Sequence, residues 1–170
     1  KVTLGAMDGP TDEQPAFKVQ IPSFFMDIFP VTCKEFEQFM PNYTRSSYSS
    51  QDNSPATLIT LAMAKAYCQW RGIKEGLPPG TYRLPTEYEW EAAVRGITGE
   101  QYPWPEEDKD TFVYCGFSNE HGSRPIAQVP PARFEISELL GNVWEWTDSR
   151  YTPHPFSTNF KPIYAQKNLK

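Results

Sequence analysis

With 170 residues and a formal charge of −5, from 16 basic and 21 acidic side chains, the chain has the length of one ordinary domain. It carries no Lys/Arg cluster dense enough for a nucleic-acid footprint and no apolar run as long as a membrane span, so composition argues against both functions. Aromatics make up 15% of the residues, and 17 prolines and 10 glycines punctuate them, which predicts a loop-rich α+β protein with a core of large flat side chains.

Residues 2–5 read as a short strand and residues 8–15 as a Pro/Gly-broken loop. Residues 17–21 alternate apolar and polar, as a half-buried strand does, and residues 24–29 read as another strand, closed by Pro30 and holding Asp27. Thr32 offers an N-cap to a short amphipathic helix over residues 33–40, with Phe36, Phe39 and Met40 at helical spacing. Residues 42–54 are rich in Ser, Asn, Asp and Tyr and predict a surface loop. A second helix starts at the Thr60 cap and runs to Gly72, a residue suited to the left-handed backbone of a helix end. Thr86-Glu87-Tyr88-Glu89 is a capping box: the threonine accepts from the amide three residues on, and Glu89 reaches back. That helix runs to Arg95, stops at Gly96, and carries Trp90, Ala93 and Val94 on one face. Beyond it the sequence predicts irregular structure, with short extended pieces at residues 111–114 and 142–146.

Three cysteines, Cys33, Cys68 and Cys115, are an odd and sparse set, which argues against a disulfide framework but leaves one bond, and the compartment, open. Lys1 is not an initiating residue, which leaves room for a removed leader. Cys68, on the inner side of its helix, reads as a buried small hydrophobe, and Cys33 as an inert thiol at a helix start. His121 and His154 lie far apart without ligand spacing and read as surface histidines.

Three segments carry a resemblance. The first is Phe24-Phe25-Met26-Asp27 followed by Pro30-Val31-Thr32 and Glu35-Phe36-Phe39. The second is Ala66-Tyr67-Cys68-Gln69-Trp70, then residues 82–96 around Arg83-Leu84-Pro85-Thr86-Glu87-Tyr88-Glu89-Trp90-Glu91, then Tyr102-Pro103-Trp104. The third is Gly141-Asn142-Val143-Trp144-Glu145-Trp146. In this order they resemble the formylglycine-generating-enzyme (sulfatase-modifying factor) family, from Val2 to about Tyr151. Leu61, Met63 and Pro105 depart from the family's usual Trp, Asp and Gly, which marks a diverged member.

The resemblance implies a single C-type-lectin-like domain over residues 1–170. Its remaining central strands would be supplied elsewhere, for example by a C-terminal fragment of the same protein. It also implies a calcium site at the side chains of Glu138 and Glu145 and the carbonyls of Gly141 and Val143; oxygen donors on a loop suit a hard cation. An ion pair of Glu145 with Arg83 or Arg133 stands beside that reading, since a buried carboxylate needs one or the other. Trp144 and Trp146, two apart, share one face of an extended segment and are expected in the core, with Glu145 facing the other way. The family's oxidases hold copper between two cysteines, a soft site, and none of Cys33, Cys68 and Cys115 matches those positions. Two functions follow. One is a non-catalytic binding or regulatory module for a protein or peptide ligand, carried in a larger protein such as a Ser/Thr kinase. The other is a formylglycine-generating oxidase whose cysteine pair lies outside this chain.

Overall fold

Thr32 and Thr86 each begin a helix in the same way. The threonine hydroxyl accepts from the amide three residues on, and Glu35 or Glu89 returns a carboxylate to the cap's own N–H. Around these signals the computed structural model, which describes residues 1–105, 122–128 and 131–157, is a mixed α+β structure. Its elements are β1 (Val2–Leu4), β2 (Phe17–Val19), α1 (Cys33–Phe39), α2 (Leu61–Lys74), α3 (Glu87–Arg95) and a 3-10 turn at Arg133–Glu135. β1 and β2 pair antiparallel, with Val2 opposite Val19 and Leu4 opposite Phe17. No helix among the described residues is long and apolar enough to cross a membrane.

Two packed groups hold these elements. Between α1 and α2 the rings of Phe36, Phe39, Tyr43, Tyr67 and Trp70 meet, with Phe36 stacked on Tyr67 at 5.5 Å and edge-on to Tyr43 at 5.1 Å. Such pairs add roughly 0.5–1.5 kcal/mol each beyond the area they bury. Under α3, Ala93 and Val94 pack with Ile136 and Leu139, and Met26, Trp90 and Leu140 close the edges.

The structure departs from the sequence reading in four places. Gly72 lies inside α2, buried beside the Tyr82 ring, and the helix continues to Lys74. The stop falls at Gly76, whose φ is 69°; Leu77 N–H donates to the Gly72 carbonyl and Gly76 N–H to Ile73, which satisfies the last carbonyls. Residues 24–29 form no strand; they are irregular, with a bend at residues 28–29. Prolines at 22 and 30 lack donors on either side, and Ser137 N–H to Ile28 O is the main-chain bond that holds the segment. The loop of residues 42–54 is partly internal: Ser46, Ser49 and Ser54 are buried. Small hydroxyls can be buried when they are bonded; Ser49 donates to the Pro55 carbonyl, and Arg45 bridges Glu37 and Asp52 over the outer side.

The fourth departure is His154, which is buried. Its N–H donates to Asp12 O, its Nδ1 lies 3.0 Å from Glu13 O, and its Nε2 lies 3.4 Å from the Glu91 carboxylate. Its neighbours in sequence carry no signal of this, because its partners lie at residues 12, 13 and 91. Gly5 sits beneath this clasp with φ 77°, and a Cβ there would come within 2.8 Å of His154 Nδ1 and of the Pro15 carbonyl. Gly5→Ala is therefore expected to lower unfolding free energy by more than about 2 kcal/mol, read by urea denaturation, since both backbone strain and overlap oppose it.

Candidate functional site

Residues 133–146 form a tightly coiled loop. Glu138, Gly141 and Asn142 have φ of 67°, 95° and 54°. The left-handed turns aim two carboxylates inward. Glu138 accepts from Ala127 N–H at 3.0 Å and from the Asn142 amide at 2.7 Å. Asn142 in turn exchanges two bonds with the main chain of Arg124. Glu145 accepts from the Trp90 indole at 2.6 Å.

The electrostatics of the pair are unusual. Neither carboxylate has a cationic partner among the described residues. Burial pushes Glu145 up to about 7, against the pull of the Trp90 bond, and the nearby Glu138 charge raises it further. Burial raises Glu138 as well, opposed by its bonds to Asn142 and Ala127. The ion-pair reading of Glu145 finds no arginine. Arg83 is held bidentately by Glu89 at 2.6 and 2.7 Å, and the Arg133 side chain lies against Gly96. Glu138 is buried and Glu145 half-buried, and carboxylate oxygens without a cationic partner are the donor type a hard cation takes. No group of three His, Cys, Asp or Glu side chains with metal-site geometry occurs among the described residues. Any further ligands would therefore be main-chain oxygens or water.

Glu145 points inward, and strand-like alternation then sends its neighbours outward. Trp144 is 102% exposed and Trp146 49%, so neither packs in the core as expected from sequence. The anchored carboxylate sets the parity, and no opposing layer covers the indoles among the described residues. Trp144 borders two adjoining clefts. One, of about 660 Å³, is lined by Phe24, Met26, Tyr67, Leu84 and Glu145, with the fully exposed Phe25 at its edge. The other, of about 530 Å³, lies between Tyr48, Leu58, Asn142 and Trp144.

Neither Cys33 nor Cys68 is exposed. Cys33 is fully buried and its Sγ donates to the Ser49 and Pro55 carbonyls at 3.3 and 3.5 Å. Cys68 lines the larger cleft, and burial raises its pKa. Cys115, His121 and the extended piece expected at 111–114 lie outside the described residues. The sequence reading put a calcium site at Glu138, Gly141, Val143 and Glu145; in the structure all four lie on the loop of residues 133–146, where the charge of Glu138 acts on Glu145. It missed the roles of Asn142, Trp90 and Leu58. The Asn142 position inside the Gly-Asn-Val-Trp signature was the available hint.

Comparison with known proteins follows the same line. The sulfatase-modifying factor enzyme 1-like domain matches residues 1–167. The mouse protein named inactive C-alpha-formylglycine-generating enzyme 2 is 29% identical over 87% of this chain and 65% of its own length. A Mycobacterium tuberculosis formylglycine-generating enzyme is 31% identical over 64% of this chain and 38% of its own. The Chlamydia caviae serine/threonine-protein kinase pkn1 is 32% identical over 99% of this chain and 28% of its own. The chain thus spans 65% or less of the length of these relatives. With the family's motifs in order and its domain matched over nearly every residue, the chain belongs to the sulfatase-modifying factor enzyme 1-like domain family.

Proposed function

We propose that this chain is a diverged, non-catalytic domain of that family, working as a binding or regulatory module in a larger protein such as a Ser/Thr kinase. It takes a protein or peptide ligand on the aromatic face around Trp144. The observation that carries this reading is the full exposure of Trp144 and Phe25 at the mouths of two adjoining clefts. Exposed aromatics at a concave surface are the usual anchors of protein recognition. The burial of Cys33 and the half-burial of Cys68, on separate helices, support the non-catalytic part, because a copper site needs a pair of accessible thiolates. The name of the mouse relative, and the near-complete coverage by the Chlamydia kinase, point the same way. In this reading the domain has a C-type-lectin-like arrangement, and Ca²⁺ is held by the carboxylates of Glu138 and Glu145 with the carbonyls of Gly141 and Val143. The ion's role there is structural: it neutralises the pair and fixes the loop that presents Trp144.

The test is direct. The full-length protein that carries this chain is incubated in air with Cu(I) and a Cys-containing sulfatase-type peptide, with O2 as the oxidant, and the peptide is followed by mass spectrometry. The thiol is expected to survive unchanged. Formylglycine formation would overturn the proposal in favour of a second reading, an oxidase whose cysteine pair lies outside these residues. The similarity to the Mycobacterium tuberculosis enzyme favours that alternative.

A further inference from the structure

We propose that Asp8 is a site of spontaneous isoaspartate formation, and that the folded protein carrying it is a substrate for a carboxyl methyltransferase that uses S-adenosylmethionine. The placement behind this is an exposed aspartate before an unbonded glycine amide, at the tip of a loop whose base is locked.

The chemistry is self-contained. Gly9 N attacks the side-chain carboxyl carbon of Asp8, and the amide hydrogen leaves with the carboxyl hydroxyl as water, which closes a succinimide ring. Water then reopens the ring. When it adds at the main-chain carbonyl, the bond from that carbon to Gly9 N breaks. The chain now runs through the side-chain carbonyl, and the α-carboxylate is free. A methyltransferase caps that carboxylate: an oxygen takes the methyl group and S-adenosylhomocysteine departs.

The first observation is that both reacting groups are open. Asp8-Gly9 is the one Asp-Gly or Asn-Gly pair in the sequence. Both residues are exposed, and neither the Asp8 carboxylate nor the Gly9 N–H is bonded among the described residues. Glycine brings no Cβ to obstruct the approach. Even an added one would meet nothing nearer than Ala6 Cβ at 4.0 Å, so the ring has room to close.

The second observation is that the fold protects the competing sites. At Asn53-Ser54 the attacking nitrogen is occupied, since buried Ser54 donates its N–H to Gln51 O at 3.1 Å. At Asp12-Glu13 the carboxylate accepts from the Tyr151 hydroxyl, and Glu13 N–H donates to Pro10 O at 3.1 Å. At Asp148-Ser149 the carboxylate is paired with Lys65.

The third observation is where the change falls. Isoaspartate lengthens the main chain by a methylene. The loop is fastened by Ala6 N–H to Glu13 O, His154 N–H to Asp12 O and Ser157 Oγ to Thr11 O. Between Ala6 and Gly9 the main-chain groups of Met7 and Asp8 make no bonds among the described residues. The added length is therefore absorbed at the tip, bordered by the Gln14 amide bond to Gly9 O at 2.7 Å. Exposed loop tips are where chain modification is tolerated.

The chain is aged at neutral pH and physiological temperature, folded and in urea, beside Asp8→Glu, whose larger ring closes less readily. The tryptic peptide ending at Lys18 is resolved from its isomer by retention time, and electron-transfer fragmentation places the altered residue. Methyl uptake from labelled S-adenosylmethionine is measured with an isoaspartyl methyltransferase. The folded protein is expected to accumulate isoaspartate at residue 8, to take up methyl groups without unfolding and to keep its melting temperature. Asn53 should deamidate only in urea, and Asp8→Glu should lose the uptake while melting as the parent does. A folded chain that stays intact while the urea-treated chain isomerises at residue 8 overturns the proposal. So does isoaspartate at residue 12 or 148 instead, or uptake by Asp8→Glu equal to that of the parent. An isomer that melts lower, or is methylated only in urea, overturns the claim that the folded protein is the substrate.

Discussion

Glu145→Gln is expected to raise the melting temperature in chelator and to lower it in excess calcium. The side chain keeps an oxygen for the Trp90 indole, so the 2.6 Å bond survives and the charge alone is removed. In the ion-free protein that charge is unfavourable, since burial lifts the Glu145 pKa from 4.5 to about 7. An acid with a raised native pKa binds more protons in the folded than in the unfolded state between those two values. Stability therefore falls as pH rises from about 4.5 to 7 and is flat on either side. The full loss above pH 7 corresponds to roughly 3 kcal/mol at most, and the glutamine variant should recover much of it at pH 8 in chelator. With calcium at one hundred times its dissociation constant, wild type gains about 2.7 kcal/mol, and the variant loses most of that gain. Thermal melts of both proteins, with and without calcium, give four values. A wild-type protein indifferent to calcium would remove the cation from the site and leave Glu145 as a half-buried acid whose pKa burial raises.

Glu89→Ala should be among the most destabilising single changes in the molecule. The Glu89 carboxylate is 6% exposed and serves two ends at once. One oxygen accepts from Thr86 N–H at 2.8 Å, and the pair together grips Arg83. Alanine leaves the helix cap unsatisfied and the guanidinium without its partner, for a loss of about 2–4 kcal/mol. The lower end reflects the half exposure of Arg83, which water can compensate. Glu89→Gln keeps a cap acceptor and should lose about half as much. The pH signature is independent. The Arg83 bonds hold Glu89 down at about 2 against a free value of 4.5. A depressed acid contributes stability that is full above pH 4.5 and disappears as pH falls toward 2. After screening at Arg83 this amounts to roughly 2 kcal/mol, which urea denaturation between pH 2.5 and 6 should show for wild type and not for the alanine variant.

These two glutamates also show what a sequence discloses. The Glu89 cap was legible because its partners lie within three residues, and local chemistry fixes the helix start. The parity of residues 144–146 was legible for the same reason: alternate residues in extended chain face opposite ways. What could not be read was which side is inside. Two tryptophans outweigh one glutamate in any tally of hydrophobicity, yet the glutamate is half-buried and the indoles face water. The decision was made by Trp90, 55 positions away, whose indole donates to Glu145. Leu58 was invisible in sequence because its left-handed backbone depends on the hydroxyl of Tyr43, which bonds Thr57, and the indole of Trp146, which donates to Ile59 O. His154 was misread because its partners are at residues 12, 13 and 91. The strand expected over residues 24–29 failed for a related reason. An extended sequence becomes a strand only when a neighbour supplies the ladder, and apolar alternation says nothing of the neighbour.

The clasp at His154 has a consequence for how the chain is made. The contact with Glu13 joins residues separated by 141 positions. During synthesis the N-terminal hairpin leaves the ribosome long before that histidine exists. Until then it rests on α3 alone, through Gly5 N–H to Glu91, Arg95 to Gly5 O and the Phe17 ring against Tyr88. The hairpin is small, and two short strands are not stable alone. Its first foothold therefore comes with α3 and its lock only with His154, and so non-local a closure slows folding. A chain stopped just short of His154 should leave the loop of residues 8–15 open to protease while α1, α2 and α3 have already formed. The first strands of the sequence would then be fastened after the helices that follow them.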